Sequence, residues 1–191
     1  GAASIEMARA AGEIAGEQKI VRLQDINWLQ PITLEDDACK VETRLYPDGK
    51  AVRYEISTHI EEKKVINAKG KLLYESSESY LQSQDINMIK NRCLNVMDGS
   101  ECYSLFQQAG FTYGSTFQPI QKIYSNSQEA LSYLELPSEC TENFDEFVLH
   151  PSLMDGAFQT LLGLVNSSGS DSTEMYVPFS IKEIEIKDSL K

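Results

Sequence analysis

The chain has 191 residues, 41% apolar and 24% charged, a balance that supports one large globular domain or two small ones and excludes a disordered chain. Its 17 Lys and Arg stand against 29 Asp and Glu for a net charge of -12, a surface that repels phosphate backbones and anionic lipids and argues against nucleic-acid binding. The longest nearly apolar stretch, residues 149–165, is too short and too interrupted to cross a bilayer, and the first residues do not read as a signal peptide, so a cytoplasmic protein is expected. Cys39, Cys93, Cys102 and Cys140 form no CxxC pair and lie apart from the two histidines, His59 and His150, so metal spacing is absent and free thiols are expected.

In chain order, residues 2–16 (AASIEMARAAGEIAG) predict an amphipathic helix. Ala3, Met7, Ala10, Ala11 and Ile14 make its packing stripe, Glu6, Arg9 and Glu13 lie on another, and Gly16 is the stop. Residues 19–34 and 39–76 then alternate in twos and predict strands, with a hairpin turn at Pro47-Asp48-Gly49. In that run Val52, Tyr54, Ile56, Thr58 and Ile60 face one way and Arg53, Glu55, Ser57, His59 and Glu61 the other, which makes His59 a solvated strand residue. Residues 76–99 form a polar connector with a short helix near Ile86 to Ile89. A second unit comes next: a helix over 100–110 with Ser100 as N-cap and Gly110 after its end, and strands at 118–125, 128–136 and 176–187. The pattern predicts two halves, each a curved antiparallel sheet around one helix, over 1–92 and 93–191.

The stretch LHPSLMDGAFQTLLGLV (149–165) lies between the last two strands. Apolar residues cover most of its circumference, which predicts a core helix, yet it carries Asp155 and Gln159 one turn apart on the same side. Two readings of Asp155 stand. In one, Ser152 to Asp155 is a capping box and the carboxylate satisfies the helix start. In the other, burial raises the carboxyl's pKa so that it holds and donates a proton, with Gln159 fixing its rotamer. Pro151 favours the first helical position, which makes His150 the cap and moves Asp155 inward.

The segment LHPSLMDGAFQ (149–159) resembles the Leu-His-Pro-x-Leu-x-Asp-x-x-x-Gln motif of polyketide synthase dehydratase domains. Residues 110–124 (GFTYGSTFQPIQKIY) are similar to the family's Gly-x-x-Tyr-Gly-x-x-Phe motif, 176–186 to its subsequent Leu-Pro-Phe strand, and 23–32 to another family strand. Residues 1–13 resemble the family segment immediately C-terminal to its His-x-x-x-Gly-x-x-x-x-Pro motif. The resemblance spans nearly the whole chain, and 118–137 is closest to the subset found in bacterial trans-acyltransferase assembly lines. The fold it implies is an α+β double hotdog.

The resemblance implies dehydration of a 3-hydroxyacyl thioester on an acyl carrier protein to the 2-enoyl thioester during polyketide elongation. Asp155 would be the acid and Gln159 its orienting partner. Tyr113 and Gly114 would line the pocket near the reacting hydroxyl, with Phe117, Leu149, His150 and Pro151 completing the substrate site. The family's base, the histidine of His-x-x-x-Gly-x-x-x-x-Pro, is matched by neither His59 nor His150, so a domain continuing beyond both ends of this chain is expected. The chemistry calls for no metal or cofactor of the domain's own; phosphopantetheine arrives with the carrier. The expected partners are the carrier protein, docked through Lys63, Lys64, Lys69 and Lys71, neighbouring synthase domains, and a second copy in a homodimer. Asn67, where many relatives carry histidine, reads as a plain strand residue. The same scaffold also suits double-bond isomerisation, pyran or furan ring closure, or a non-catalytic scaffold.

Overall fold

The structure, a computed structural model, describes residues 1–34, 38–60, 63–74, 84–167 and 178–190. In chain order its elements are α1 (Ala3–Gly16), β1 (Arg22–Trp28), β2 (Glu42–Asp48), β3 (Ala51–Ile60), β4 (Lys63–Leu73), α2 (Ile86–Arg92), β5 (Asn95–Asp98), α3 (Gly99–Gln108), β6 (Ile120–Ser125), β7 (Ala130–Leu134), α4 (Pro151–Gln159), α5 (Leu162–Ser167) and β8 (Ser180–Glu185). They fall into two units, Gly1–Ser79 with Pro178–Ser189, and Tyr80–Val177 with Leu190–Lys191.

The first unit is a five-stranded antiparallel sheet in the order β2-β3-β4-β1-β8, with α1 against it. The predicted hairpin closes where Asp48 pairs with Ala51, and Gly49 takes the left-handed φ of 65° that the two-residue turn requires. Tyr54, Ile56 and Thr58 are buried as their alternation predicts. Ser57 is buried too, because the register shifts at this point: Ile56 pairs with Ala68 but Ser57 with Ile66, leaving Asn67 bulged from β4. Asn67 is therefore more than a plain strand residue. Its Nδ2 donates to the Pro31 carbonyl (3.1 Å), its Oδ1 accepts from Thr58 Oγ1 (3.0 Å), and its carbonyl accepts from Leu29 N–H (2.8 Å), which anchors the chain leaving β1.

Helix α1 presents a different face from the one its apolar stripe predicts. Ile5, Ala8 and Gly12 are buried together with Glu6 and Arg9, whereas Ala3 and Ile14 are exposed. The reason is pairing: Arg9 grips Glu6 bidentately (Nε 2.6 Å, Nη2 2.8 Å) and meets the half-buried Glu13 at 2.7 Å, so Glu6 and Arg9 enter the interior as a neutral pair. Gly16 is the last helical residue and not the left-handed stop. That conformation falls on Glu17 (φ 51°), and Gly16 instead admits the Tyr74 hydroxyl, which would lie 2.3 Å from a Cβ there and donates to the Gly12 carbonyl.

The second unit has a three-stranded sheet, β5-β6-β7, over a core of Met97, Cys102, Phe106, Ile120, Ile123 and Leu162. Strand β5 lies inside the segment read as connector. Helix α3 starts one residue earlier than expected, with Asp98 and not Ser100 at the cap position. Gly99 explains the shift, since a Cβ there would stand 2.1 Å from the Ile120 carbonyl oxygen, so only glycine lets the helix start against β6. Gly110 comes after the helix with φ 87°, as its position predicts.

This division differs from 1–92 and 93–191 at two places. Helix α2 belongs to the second unit, tied there by the bidentate Arg92–Glu129 pair (2.7 and 2.9 Å). Strand β8, expected in the second half, belongs to the first, where it pairs with β1 through Leu23–Ile184 and Ile26–Ile181. Tyr176 and Val177 of its predicted span, and 76–83 of the connector, lie outside the described residues. The four lysines read as one docking patch do not share a face. Lys64, Lys69 and Lys71 stand opposite His59, Glu55 and Arg53, whereas Lys63 stands opposite Ile60. Lys64 and Lys71 are moreover engaged by Glu55 (2.9 Å) and Asp25 (3.5 Å).

Candidate active site

Helix α4 begins with proline at its first position, and His150 is the cap: its Nδ1 accepts the Ser152 N–H at 3.2 Å. The imidazole is buried, with Phe147 edge-on at 4.9 Å and Phe144 at 5.7 Å. The capping reading of Asp155 is thereby overturned, because another group already holds the helix start. The helix is not sunk in the core as its composition predicts. Its buried residues are Ser152, Gly156 and Gln159, a small and polar stripe at i, i+4 and i+7, while Ala157 is exposed. A Cβ on Gly156 would stand 2.6 Å from Pro119 Cγ; the close seat of the helix depends on its smallest face.

Asp155 is half-buried and Gln159 buried. Gln159 Nε2 donates to Asp155 Oδ2 at 2.7 Å and to the Phe117 carbonyl at 3.1 Å, and Gln159 Oε1 accepts from the Tyr103 hydroxyl at 3.0 Å. Burial holds the Asp155 carboxyl above the ordinary carboxylate range, opposed by the Gln159 donor, which favours the charged form. Inside its own unit this carboxyl thus faces a neutral amide, and burial moves it toward the protonated form. The arrangement is that of an acid with one oxygen fixed.

Tyr113 packs edge-on to Phe106 (centroids 5.0 Å) and to Tyr103 (6.1 Å). Burial first and the Asp155 charge second push its hydroxyl up to about 12, so it stays a neutral donor. A groove of about 800 Å³ opens beside it, lined by Tyr103, Tyr113, Phe111, Gln107, Gln118 and the start of α3 among others. Asp155 does not itself line this groove; it is linked to it through Gln159, which Tyr103 binds. Of the remaining residues named from sequence, Phe117 contributes its carbonyl, aimed at Gln159 by a 3-10 turn over Ser115–Phe117. Leu149, His150 and Pro151 build the start of α4 and Gly114 is exposed; none of these lines the groove. His59 is exposed on β3. Tyr103 was missed from sequence, since its partners lie 17 and 56 residues away. Among the described residues no cluster of His, Cys, Asp and Glu could hold a metal, and no helix is long and apolar enough to cross a membrane.

Antiparallel sheets each packed with helices, in two units, define an α+β fold of the double hotdog class. Two family models match: "polyketide synthase dehydratase N-terminal domain" over residues 82–191 and "polyketide synthase dehydratase domain" over residues 1–59. The chain belongs to the polyketide synthase dehydratase family, whose reaction is loss of water during polyketide elongation. It is 34% identical to polyketide synthase PksM of Bacillus subtilis (strain 168) over 97% of this chain and 5% of that protein, and 32% identical to PksN of the same organism over 97% and 4%. The chain therefore spans a small part of long synthases. A trans-AT polyketide synthase dehydratase domain from Brevibacillus brevis superimposes with a TM-score of 0.89 at 31% identity, covering 99% of this chain and 68% of that one. The dehydratase domain of the CurF module of curacin synthase, 23% identical, shares the fold with a TM-score of 0.87.

Proposed function

We propose that this domain removes water from a 3-hydroxyacyl thioester carried on the phosphopantetheine of an acyl carrier protein, leaving the 2-enoyl thioester. The observation that carries the reading is the Asp155–Gln159 pair: a half-buried carboxyl, raised by burial, held by a carboxamide and released from any capping role by His150. In the reaction a base removes the α proton, the C–O bond at C3 breaks, and Asp155 gives its proton to the departing hydroxyl, which leaves as water. Asp155 ends as a carboxylate and the base as its conjugate acid, and solvent exchange restores both. Tyr113, neutral throughout and lining the groove, would donate to the oxygen of the substrate. The base is assigned to neither histidine of this chain: His150 Nδ1 holds the Ser152 amide and His59 is exposed on its strand. It belongs to the His-x-x-x-Gly-x-x-x-x-Pro motif that the resemblance implies.

The test uses the domain within a chain that carries that motif and a 3-hydroxyacyl carrier thioester, with product followed by mass. Asp155→Asn keeps an oxygen for Gln159 and loses the acid, so turnover should fall about 100- to 10,000-fold. Turnover within about tenfold of the unmodified domain would remove Asp155 from this role.

A further inference from the structure

The Tyr103 hydroxyl stands between two groups of opposite kind. It accepts the Ile120 backbone N–H at 2.9 Å, a group that can only donate, so its own proton is directed to Gln159 Oε1 at 3.0 Å. At the far end of the same carboxamide, Nε2 meets the Phe117 carbonyl at 3.1 Å, a group that can only accept. Two backbone groups that cannot reverse thus bracket Gln159 and permit one orientation of its amide: oxygen toward Tyr103, nitrogen toward Phe117 and Asp155. A flipped amide would leave the Tyr103 proton without its acceptor and set its oxygen against the Phe117 carbonyl.

We propose that Tyr103 is the positioning residue for this acid: by fixing the sense of the Gln159 carboxamide it makes Asp155 Oδ2 a permanent acceptor and leaves Oδ1 as the oxygen that carries the transferable proton. Tyr103 is itself rigidly held. Gly99 lets α3 approach the Ile120 carbonyl closely and Tyr103, one helical turn on, binds the Ile120 amide, so the helix is seated against this one residue of β6. The ring packs against Phe106 and Tyr113 at the edge of the core, and the chain of bonds runs from the strand through Tyr103 and Gln159 to the carboxyl. The proposal rests on Asp155 being the proton donor, and it says which of its oxygens does the work and what dictates the choice.

The experiment combines Tyr103→Phe with a readout that a packing defect would not move. With the carrier-bound substrate, kcat should fall about 10- to 100-fold with KM little changed, since the acid is present but misdirected. The limb of the kcat–pH profile that reports the acid should move to higher pH, because a free carboxamide stabilises the Asp155 carboxylate less. Carbon-13 NMR titration of the Asp155 carboxyl should show the same upward shift without substrate. Tyr103→Phe in a Gln159→Ala background should add nothing further, and Ile123→Val, a core change clear of the site, should leave the profile in place. If Tyr103→Phe does not fold, 3-fluorotyrosine at position 103 keeps both bonds, donates more strongly and should move the limb the opposite way. A Tyr103→Phe domain with unchanged kcat and an unchanged Asp155 titration overturns the proposal. If Asp155→Asn proves harmless while the NMR shift appears, positioning stands and the acid assignment falls.

Discussion

Helices α1 and α4, each lying in one of the two units, bring carboxylates inside in opposite ways. On α1, Glu6 is sealed against Arg9 with two short bonds and side chains about 6% exposed on both sides, so the charge is cancelled within the helix that carries it. On α4, Asp155 meets only a neutral amide within its unit, and burial moves it toward the protonated form. Burial of a carboxyl alone therefore does not mark a proton donor; the partner does. A guanidinium makes the group structural, whereas a carboxamide holds its geometry without taking its proton.

The contrast breaks most visibly at Glu6. Glu6→Gln leaves Arg9 buried with Glu13 as its remaining carboxylate, and should destabilise the fold by about 3–5 kcal/mol in urea titration. A loss below about 1 kcal/mol would mean that Glu13 and solvent suffice for Arg9, and the pair would no longer count as sealed. A smaller effect tests how each helix is seated. A Cβ on Gly12 of α1 would meet the flexible tips of Leu72 and Ile20 at 2.6 and 3.0 Å, whereas on Gly156 of α4 it would meet the Pro119 ring at 2.6 Å. Alanine gains about 1 kcal/mol of helix propensity at either place. Gly12→Ala should then be close to neutral, and Gly156→Ala should cost about 1–2 kcal/mol net and lower activity by shifting Gln159. Equal melting temperatures for the two variants would show that the α4 seat yields as readily as the α1 seat.

The same contrast explains what could be read from the residues alone. The Asp155–Gln159 pair was legible because spacing of four on a helix dictates contact, and the β2–β3 turn because Asp48-Gly49 needs few partners to act. The buried face of α1 was not: periodicity separates Glu6, Arg9 and Glu13 from the apolar stripe, but cannot register that Glu6 and Arg9 cancel one another. Strand β5 was hidden in four residues with a single buried one, Met97. The sheet in which β8 lies was set by pairing with β1, more than 150 residues earlier, and Tyr103 by two partners far along the chain. Local chemistry was readable; what tertiary contact decides was not.

Asp155 should also show itself by pH, with the smallest effect on stability. Because the folded pKa of Asp155 lies above the ordinary carboxylate value near 4, the folded chain binds more protons than the unfolded one between those two values. Its stability contribution is therefore present at low pH and lost as pH rises through that window. The slope is at most about 1.4 kcal/mol per pH unit, the limit for one proton. Asp155→Asn cannot ionise and escapes this loss, so its stability relative to the unmodified chain should climb from about pH 4 upward and then level off. Denaturant midpoints collected from about pH 4 to 8 for the two chains measure the trend. A flat difference between Asp155→Asn and the unmodified chain would mean that Asp155 titrates as it does in water, and the distinction between a sealed carboxylate and a proton-holding one would collapse to a matter of partners without consequence.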